Sequence, residues 1–118
     1  MNTPTLPGPL GEPNVRFVKV RDHNMAPTLH LGDWVAVAPV TRFHRDALYL
    51  IAVGNGETSV TRCAWRPDGI LIKQDGPEYA DSPSLVSQAR FEAIVLGIVV
   101  FTINVHAADF LATDRGQP

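Results

Sequence analysis

The chain is poor in cysteine, in lysine and in long apolar runs, and each shortage excludes a class of protein. Its 118 residues include one cysteine, Cys63, which excludes an internal disulfide framework. The apolar run at residues 93–101 is shorter than the roughly 20 residues that a membrane-spanning helix needs. No basic-then-apolar signal pattern occurs near Met1. We therefore expect a cytoplasmic protein without a membrane segment.

The charge balance gives no sign of a nucleic-acid partner. Ten basic residues face 12 acidic ones, for a net charge of −2. Phosphate binding needs a clustered excess of Lys and Arg, so we expect no direct nucleic-acid binding by this chain. The only lysines are Lys19 and Lys73, which limits where a lysine could serve as a catalytic base.

Metal and cofactor sites are not indicated either. The spacings of His23, His30, His44 and His106 fit no usual metal-binding pattern, with or without Cys63. We expect exposed loop histidines, no metal and no cofactor. A composition with 45% hydrophobic and 19% charged residues is typical of one ordinary globular domain.

What the sequence does contain is a succession of short β-type segments. Segments rich in β-branched and aromatic residues alternate with turn signals, such as Gly-Asn-Gly at 54–56. No helical periodicity is evident before about residue 103, a polar loop is expected at 78–88, and a short helix is expected at 107–112. The pattern predicts a mostly β, single antiparallel domain with strands at residues 15–21, 34–38, 48–53, 58–65, 70–73 and 93–101.

Three parts of the chain are expected from this pattern. Residues 1–14 are rich in proline and glycine and are predicted to be a flexible arm. Residues 15–105 form the domain, and residues 106–118 form a C-terminal tail.

One loop motif carries most of the functional information. Residues 22–29 read Asp-His-Asn-Met-Ala-Pro-Thr-Leu, and Gly32-Asp33 follows. The motif resembles the nucleophile loop of LexA-like self-cleaving repressors and their signal-peptidase relatives, Gly-Asp-Ser-Met-x-Pro-Thr-Leu and then Gly-Asp-x-Val. Further blocks resemble that family in order, at residues 46–50, 59–63, 69–79 and 95–100. The resemblance implies a LexA C-terminal-like (β-clip type) fold.

The same resemblance predicts that the family's chemistry has been lost. In LexA-like peptidases a serine attacks a peptide bond and a buried, neutral lysine takes its proton. Here Asn24 stands at the serine position and Thr61 at the lysine position. A carboxamide is not an activatable nucleophile, and threonine has no basic nitrogen. We expect a pseudo-peptidase whose former substrate cleft contains His23, Asn24, Met25 and Thr61.

Other residues of these blocks are expected to be structural. Asn24 should hydrogen-bond to Thr61 or to nearby backbone, because unmatched buried polar groups are costly. Met25 should pack in the core, and Asp33 should cap backbone amides. Of the two tryptophans, both expected in the core or the groove wall, Trp34 is the better candidate for a partner anchor.

The resemblance also implies a function based on association. LexA-like domains dimerise, so we expect a homodimer, or binding to a related repressor or polymerase subunit, in phage-repressor or DNA-damage (SOS) regulation. The C-terminal strand is the expected interface, although a central core strand is an equally good interpretation. That interface would comprise Ile98, Val99, Val100, Phe101, Ile103 and Val105.

Two alternatives stay open at this point, besides small-ligand binding in the vacated cleft, which no feature of the sequence supports. The first is an active self-cleaving or signal-peptidase-like serine peptidase whose dyad has moved to other residues. The arm, however, contains no Ala-Gly or Cys-Gly bond of the kind that the family cleaves. The second is that the chain is part, or an altered form, of a longer repressor.

Overall fold

Eight strands form one antiparallel sheet in the computed structural model, which describes residues 5–6, 14–79 and 81–104. The predicted class, mostly β and antiparallel, is confirmed. The predicted tail, Val105 and the helix expected at 107–112 lie outside the described residues. The strands are β1 (Thr5–Leu6), β2 (Val15–Lys19), β3 (Trp34–Pro39), β4 (Ala47–Gly54), β5 (Glu57–Arg66), β6 (Gly69–Lys73), β7 (Ser84–Val86) and β8 (Val95–Ile103).

The last strand of the domain lies in the middle of the sheet. Across the sheet the order is β1-β2-β3-β8-β4-β5-β6-β7, so β8 lies between β3 and β4. The sequential pairs β4/β5 and β5/β6 are hairpins joined at the predicted turns. Strand β1 falls within the predicted flexible arm, where its residues pair with Val15 and Arg16. The rest of that arm, apart from Asn14, lies outside the described residues.

The segment between β6 and β8 differs from the prediction. The expected polar loop contains β7, and the helix α1 (Gln88–Ile94) occupies the start of the apolar run expected to be strand. The Ser87 hydroxyl caps α1 by accepting from the Arg90 N–H at 3.0 Å. A helix of 7 residues with one buried side chain, Phe91, is too short to show a helical period in the sequence. No helix in the described part of the chain is long and apolar enough to cross a membrane.

Apolar side chains cover both faces of the central strands. One core cluster includes Tyr49, Ile51 and Phe91, and the other includes Leu29 and Leu50. Since neighbouring residues of β4 enter different clusters, this strand is buried on both sides. Such double burial explains why its sequence is a continuous apolar run and not an alternating one.

Strand β8 changes its environment along its length. Residues 95–98 pair with β4, whereas residues 97–103 pair with β3. Ile98 is 6% exposed within the first core cluster, and Val99 packs against the second. Of the residues predicted for the dimer surface, Ile98 is therefore buried in the fold and Val99 is partly buried. The exposed apolar side chains of the strand are Leu96, Val100, Phe101 and Ile103.

Candidate functional site

The loop between β2 and β3 is anchored by two apolar side chains. Met25 and Leu29 are 2% and 0% exposed and belong to the second core cluster. The Leu29 N–H donates to the Met25 carbonyl at 2.9 Å, which closes a helix-like turn. At the end of the loop, the Asp33 carboxylate accepts from the His30 N–H at 2.9 Å. The predicted core position of Met25 and the predicted capping by Asp33 are confirmed.

Asn24 is held through its backbone and its side chain. Its carbonyl accepts from the Gly76 N–H at 2.7 Å, and its N–H donates to the Asp22 carboxylate at 3.0 Å. The side-chain Oδ1 accepts from the Tyr79 hydroxyl at 3.1 Å. The Asn24 carboxamide is therefore half-buried and hydrogen-bonded to a phenol.

Thr61 lies on β5 opposite Tyr49 and is 2% exposed. Its hydroxyl lies 3.4 Å from the Cys63 thiol, with which it shares a hydrogen bond. Burial raises the pKa of Cys63 to about 11, which keeps the thiol protonated at neutral pH. The structure thus gives Asn24 and Thr61 different partners, and the described residues include no hydrogen bond between the two.

Asp75 joins the loop to the strand that carries Thr61. Its carboxylate accepts two hydrogen bonds from the Arg62 guanidinium, at 2.9 and 2.7 Å, and a third from the Thr28 hydroxyl. Its N–H donates to the Met25 sulfur at 3.3 Å. The bonds from Arg62 hold the pKa of Asp75 below its ordinary value, and the same bonds raise the pKa of Arg62.

Sequence reasoning missed Asp75 and Tyr79 as members of this site. Both lie about 50 residues beyond the loop in sequence, and Asp75 falls in an Asp-Gly-Pro segment that reads as an ordinary turn. No local pattern indicates such long-range partners. The block at residues 69–79, which resembles the family in sequence, was the one available signal.

A cleft of about 110 Å³ opens beside the loop, between the end of β2 and the start of β5. Within the described residues, each of these two strands has an unpaired edge next to the cleft. Strand β6 pairs only with residues 62–66 of β5, and β1 pairs only with residues 15–16 of β2. Of the predicted cleft residues, Met25 lines it, whereas His23, Asn24 and Thr61 do not. The other lining residues include Lys19, Asp22, Leu29, Leu50 and Ser59.

The remaining candidates have simple environments. His23, His30 and His44 are exposed on loops, as expected. The described residues include no group of three or more His, Cys, Asp or Glu that could hold a metal ion. Trp34 is half-buried, whereas Trp65 is 52% exposed. The expected core or groove-wall position is therefore wrong for Trp65.

No model of a known protein family matches this chain, and no curated protein is significantly similar to it. The assignment to LexA-like peptidases therefore stays a proposal that depends on the motifs and on the geometry around them.

Proposed function

We propose that this chain is a catalytically inactive LexA-like peptidase-fold domain that acts by associating with other proteins. The observation that carries the proposal is the environment of Asn24. A carboxamide that accepts a hydrogen bond from Tyr79 at 3.1 Å occupies the position at which the family has its serine. The proposed setting is regulation of the phage-repressor or DNA-damage type in the cytoplasm, with which the free thiol of Cys63 is compatible.

Neither Thr61, which the resemblance aligns with the lysine base of the family, nor its neighbour Arg62 supplies a general base. Thr61 has a hydroxyl in place of an amine, and that hydroxyl is paired with Cys63. Arg62 comes next along the strand, but its hydrogen bonds to Asp75 raise its pKa further above neutrality. A base must be able to accept a proton at the working pH, which neither side chain can do. For catalysis, both the nucleophile and the base would therefore have to be residues other than Asn24, Thr61 and Arg62.

Association is supported by the second half of β8. Within the described part of the chain, residues 99–103 pair with β3 alone, and Val100, Phe101 and Ile103 are between 42% and 50% exposed. An exposed apolar strand with an open edge favours pairing with another chain. We propose a homodimer through this strand, or binding to a related repressor or polymerase subunit. The cleft between β2 and β5 could in addition hold an extended segment of such a partner without cutting it.

Intact-mass measurement after incubation at alkaline pH tests the loss of catalysis. Alkaline pH promotes self-cleavage in LexA-like repressors, so an active repressor incubated in parallel is the control. We expect the mass of this chain to stay unchanged over the time in which the control is cleaved. Specific loss of an N-terminal segment would contradict the proposal.

One observation favours an alternative, a peptidase with a relocated dyad: Ser59 and Lys19 line the same cleft. Against it, the Ser59 hydroxyl accepts from the Gln74 amide at 3.2 Å, and Lys19 is exposed, without the burial that the lysine base of the family has. If wild-type chain is cleaved and the Ser59→Ala and Lys19→Met variants are not, the alternative replaces the proposal.

A further inference from the structure

Trp65 is the exposed end of an aromatic cluster. Its ring centroid lies 6.3 Å from that of Phe43, which stacks on Tyr49 at 5.6 Å and meets Phe91 edge-on at 5.7 Å. Tyr49 and Phe91 are fully buried. The indole therefore rests on a rigid support while 52% of the residue stays in contact with solvent.

Three arginines lie close in sequence to Trp65 or to its contact Phe43, and the Arg66 guanidinium donates to the Trp65 carbonyl at 2.8 Å. The loop between β3 and β4 brings Arg42 and Arg45, and the end of β5 brings Arg66; all three are exposed. Asp46 links the two segments, because its carboxylate accepts a hydrogen bond from the backbone N–H of Trp65 at 2.9 Å. In the part of the chain that the structure describes, none of the three arginines forms an ion pair. The nearby acidic groups are Asp46 and, in the turn after β5, Asp68.

The loop that carries two of these arginines is fixed by a buried side chain. The Tyr49 hydroxyl accepts from the His44 and Arg45 N–H groups, at 3.0 and 3.1 Å, and donates to the Arg45 carbonyl at 2.7 Å. Tyr49 itself is 0% exposed. Because the backbone is already ordered, binding at this loop would cost little conformational entropy.

We propose that the Trp65 surface, defined as Phe43, Trp65, Arg42, Arg45 and Arg66, binds an acidic, extended segment of a partner protein. An apolar side chain of the segment would pack on the indole, and its carboxylates would pair with the guanidinium groups. Tryptophan and arginine are the residues most enriched among binding hot spots, and arginine can hold a carboxylate through two parallel hydrogen bonds.

Charge complementarity favours a protein segment over a nucleic acid. The net charge of the chain is −2, so the residues other than these three arginines carry a net charge of −5. A nucleic acid extends its charges well beyond a patch of this size and would meet the acidic remainder of the molecule. A short acidic segment needs only the local arginines. This surface shares no residue with the proposed dimer strand, so the two proposals can fail separately.

Titration of the labelled chain with a peptide tests the proposal. The probe is Glu-Asp-Leu-Pro-Leu-Asp-Glu with blocked ends, and the readout is the NMR shift of the Trp65 indole N–H. We expect saturable shifts centred on Trp65, and at least a tenfold weaker affinity in the Arg42→Glu/Arg45→Glu variant. The Arg16→Glu/Arg90→Glu variant makes the same change of charge on exposed arginines elsewhere and should bind like wild type.

Three results would overturn the inference. The peptide could leave the Trp65 signal unmoved, or it could bind equally to wild type and to the Arg42→Glu/Arg45→Glu variant. The third is preferential binding of an oligothymidylate at the same arginines, which would assign the surface to single-stranded nucleic acid. The spectrum of each variant also reports whether it is folded, so loss of binding cannot be confused with unfolding.

Discussion

At the scale of single residues, Asp75 is the side chain that ties the loop between β2 and β3 to the sheet. Its carboxylate accepts from Arg62 on β5 and from Thr28 in the loop, and it is 10% exposed. Asp75→Asn removes the charge that both donors are oriented towards. We expect the free energy of unfolding to fall by about 1–2 kcal/mol. This value is at the low end for hydrogen bonds to charged groups, because Arg62 is partly exposed to solvent. Urea denaturation measures it.

The pH dependence of this difference follows from the lowered pKa of Asp75. A carboxyl group whose pKa is lower in the folded state stabilises the fold above its unfolded pKa, and this contribution is lost as the pH falls through the folded value. The gap between wild type and Asp75→Asn should be constant near neutral pH and shrink below about pH 4. Asp81→Asn, an exposed aspartate, is the control and should track wild type. A gap that persists unchanged in acid would contradict the assignment.

Cys63 should be unreactive in the folded chain. A pKa of about 11 in place of the usual 9.0 lowers the thiolate fraction at pH 8 about 100-fold, and burial blocks access as well. We expect a disulfide reagent such as dithionitrobenzoate to modify the thiol at least 100-fold more slowly in buffer than in denaturing urea. A rate near that of a free thiol in native buffer would show that this part of the core opens readily.

At the scale of elements, the strands could be predicted from sequence far better than the helix or the contacts of the site. The apolar run of β4 and the β-branched pattern of β5 specify strands locally. Helix α1 has a single buried residue, Phe91, and its signal is a cap, Ser87, in a segment otherwise typical of a loop. The bond from Tyr79 to Asn24 joins residues 55 positions apart, so only the folded topology brings them together.

The close approach of β8 to β3 gives an element-scale prediction at Gly97. A Cβ atom at this position would lie 2.3 Å from Val37 Cγ1 and 2.7 Å from the Ala38 carbonyl oxygen. Since Gly97 pairs with residues on both neighbouring strands, neither can move away freely. We expect Gly97→Ala to cost about 2–3 kcal/mol, in the range of overpacked cores. Thermal unfolding measures this against Thr102→Ala, an exposed control on the same strand, which should differ little from wild type.

At the scale of the whole molecule, the pair Asn24 and Thr61 and the exposed apolar surface lie in different places. Polar groups around Asn24 and Thr61 are paired within the chain. The large exposed apolar residues instead include Trp65 and three residues at the end of β8. A domain that hydrolysed peptides would need reactive groups held ready in its cleft. This distribution instead suits a domain whose contacts with partners lie away from Asn24 and Thr61.

The last prediction concerns the proposed dimer through β8. In a two-fold dimer, residues 99–103 of each copy would pair edge to edge, so each exposed side chain meets its own symmetry mate or a near neighbour. Val100→Lys/Ile103→Lys would place four like charges in that contact. Phe101 is left unchanged because it packs against Phe17 at 6.1 Å and contributes to the fold. We expect sedimentation equilibrium to show dimerisation weakened at least about tenfold.

The matched control is Val53→Lys, which adds a lysine at an apolar residue of comparable exposure, 52%, on β4. It should leave the dimer intact, because Val53 lies outside the proposed contact. A wild-type chain that sediments as a monomer at every concentration would contradict the dimer, and so would equal weakening by Val53→Lys. Both variants add positive charge, but only Val100→Lys/Ile103→Lys places it on the open edge of β8. Loss of association in that variant alone would therefore assign the contact to this strand.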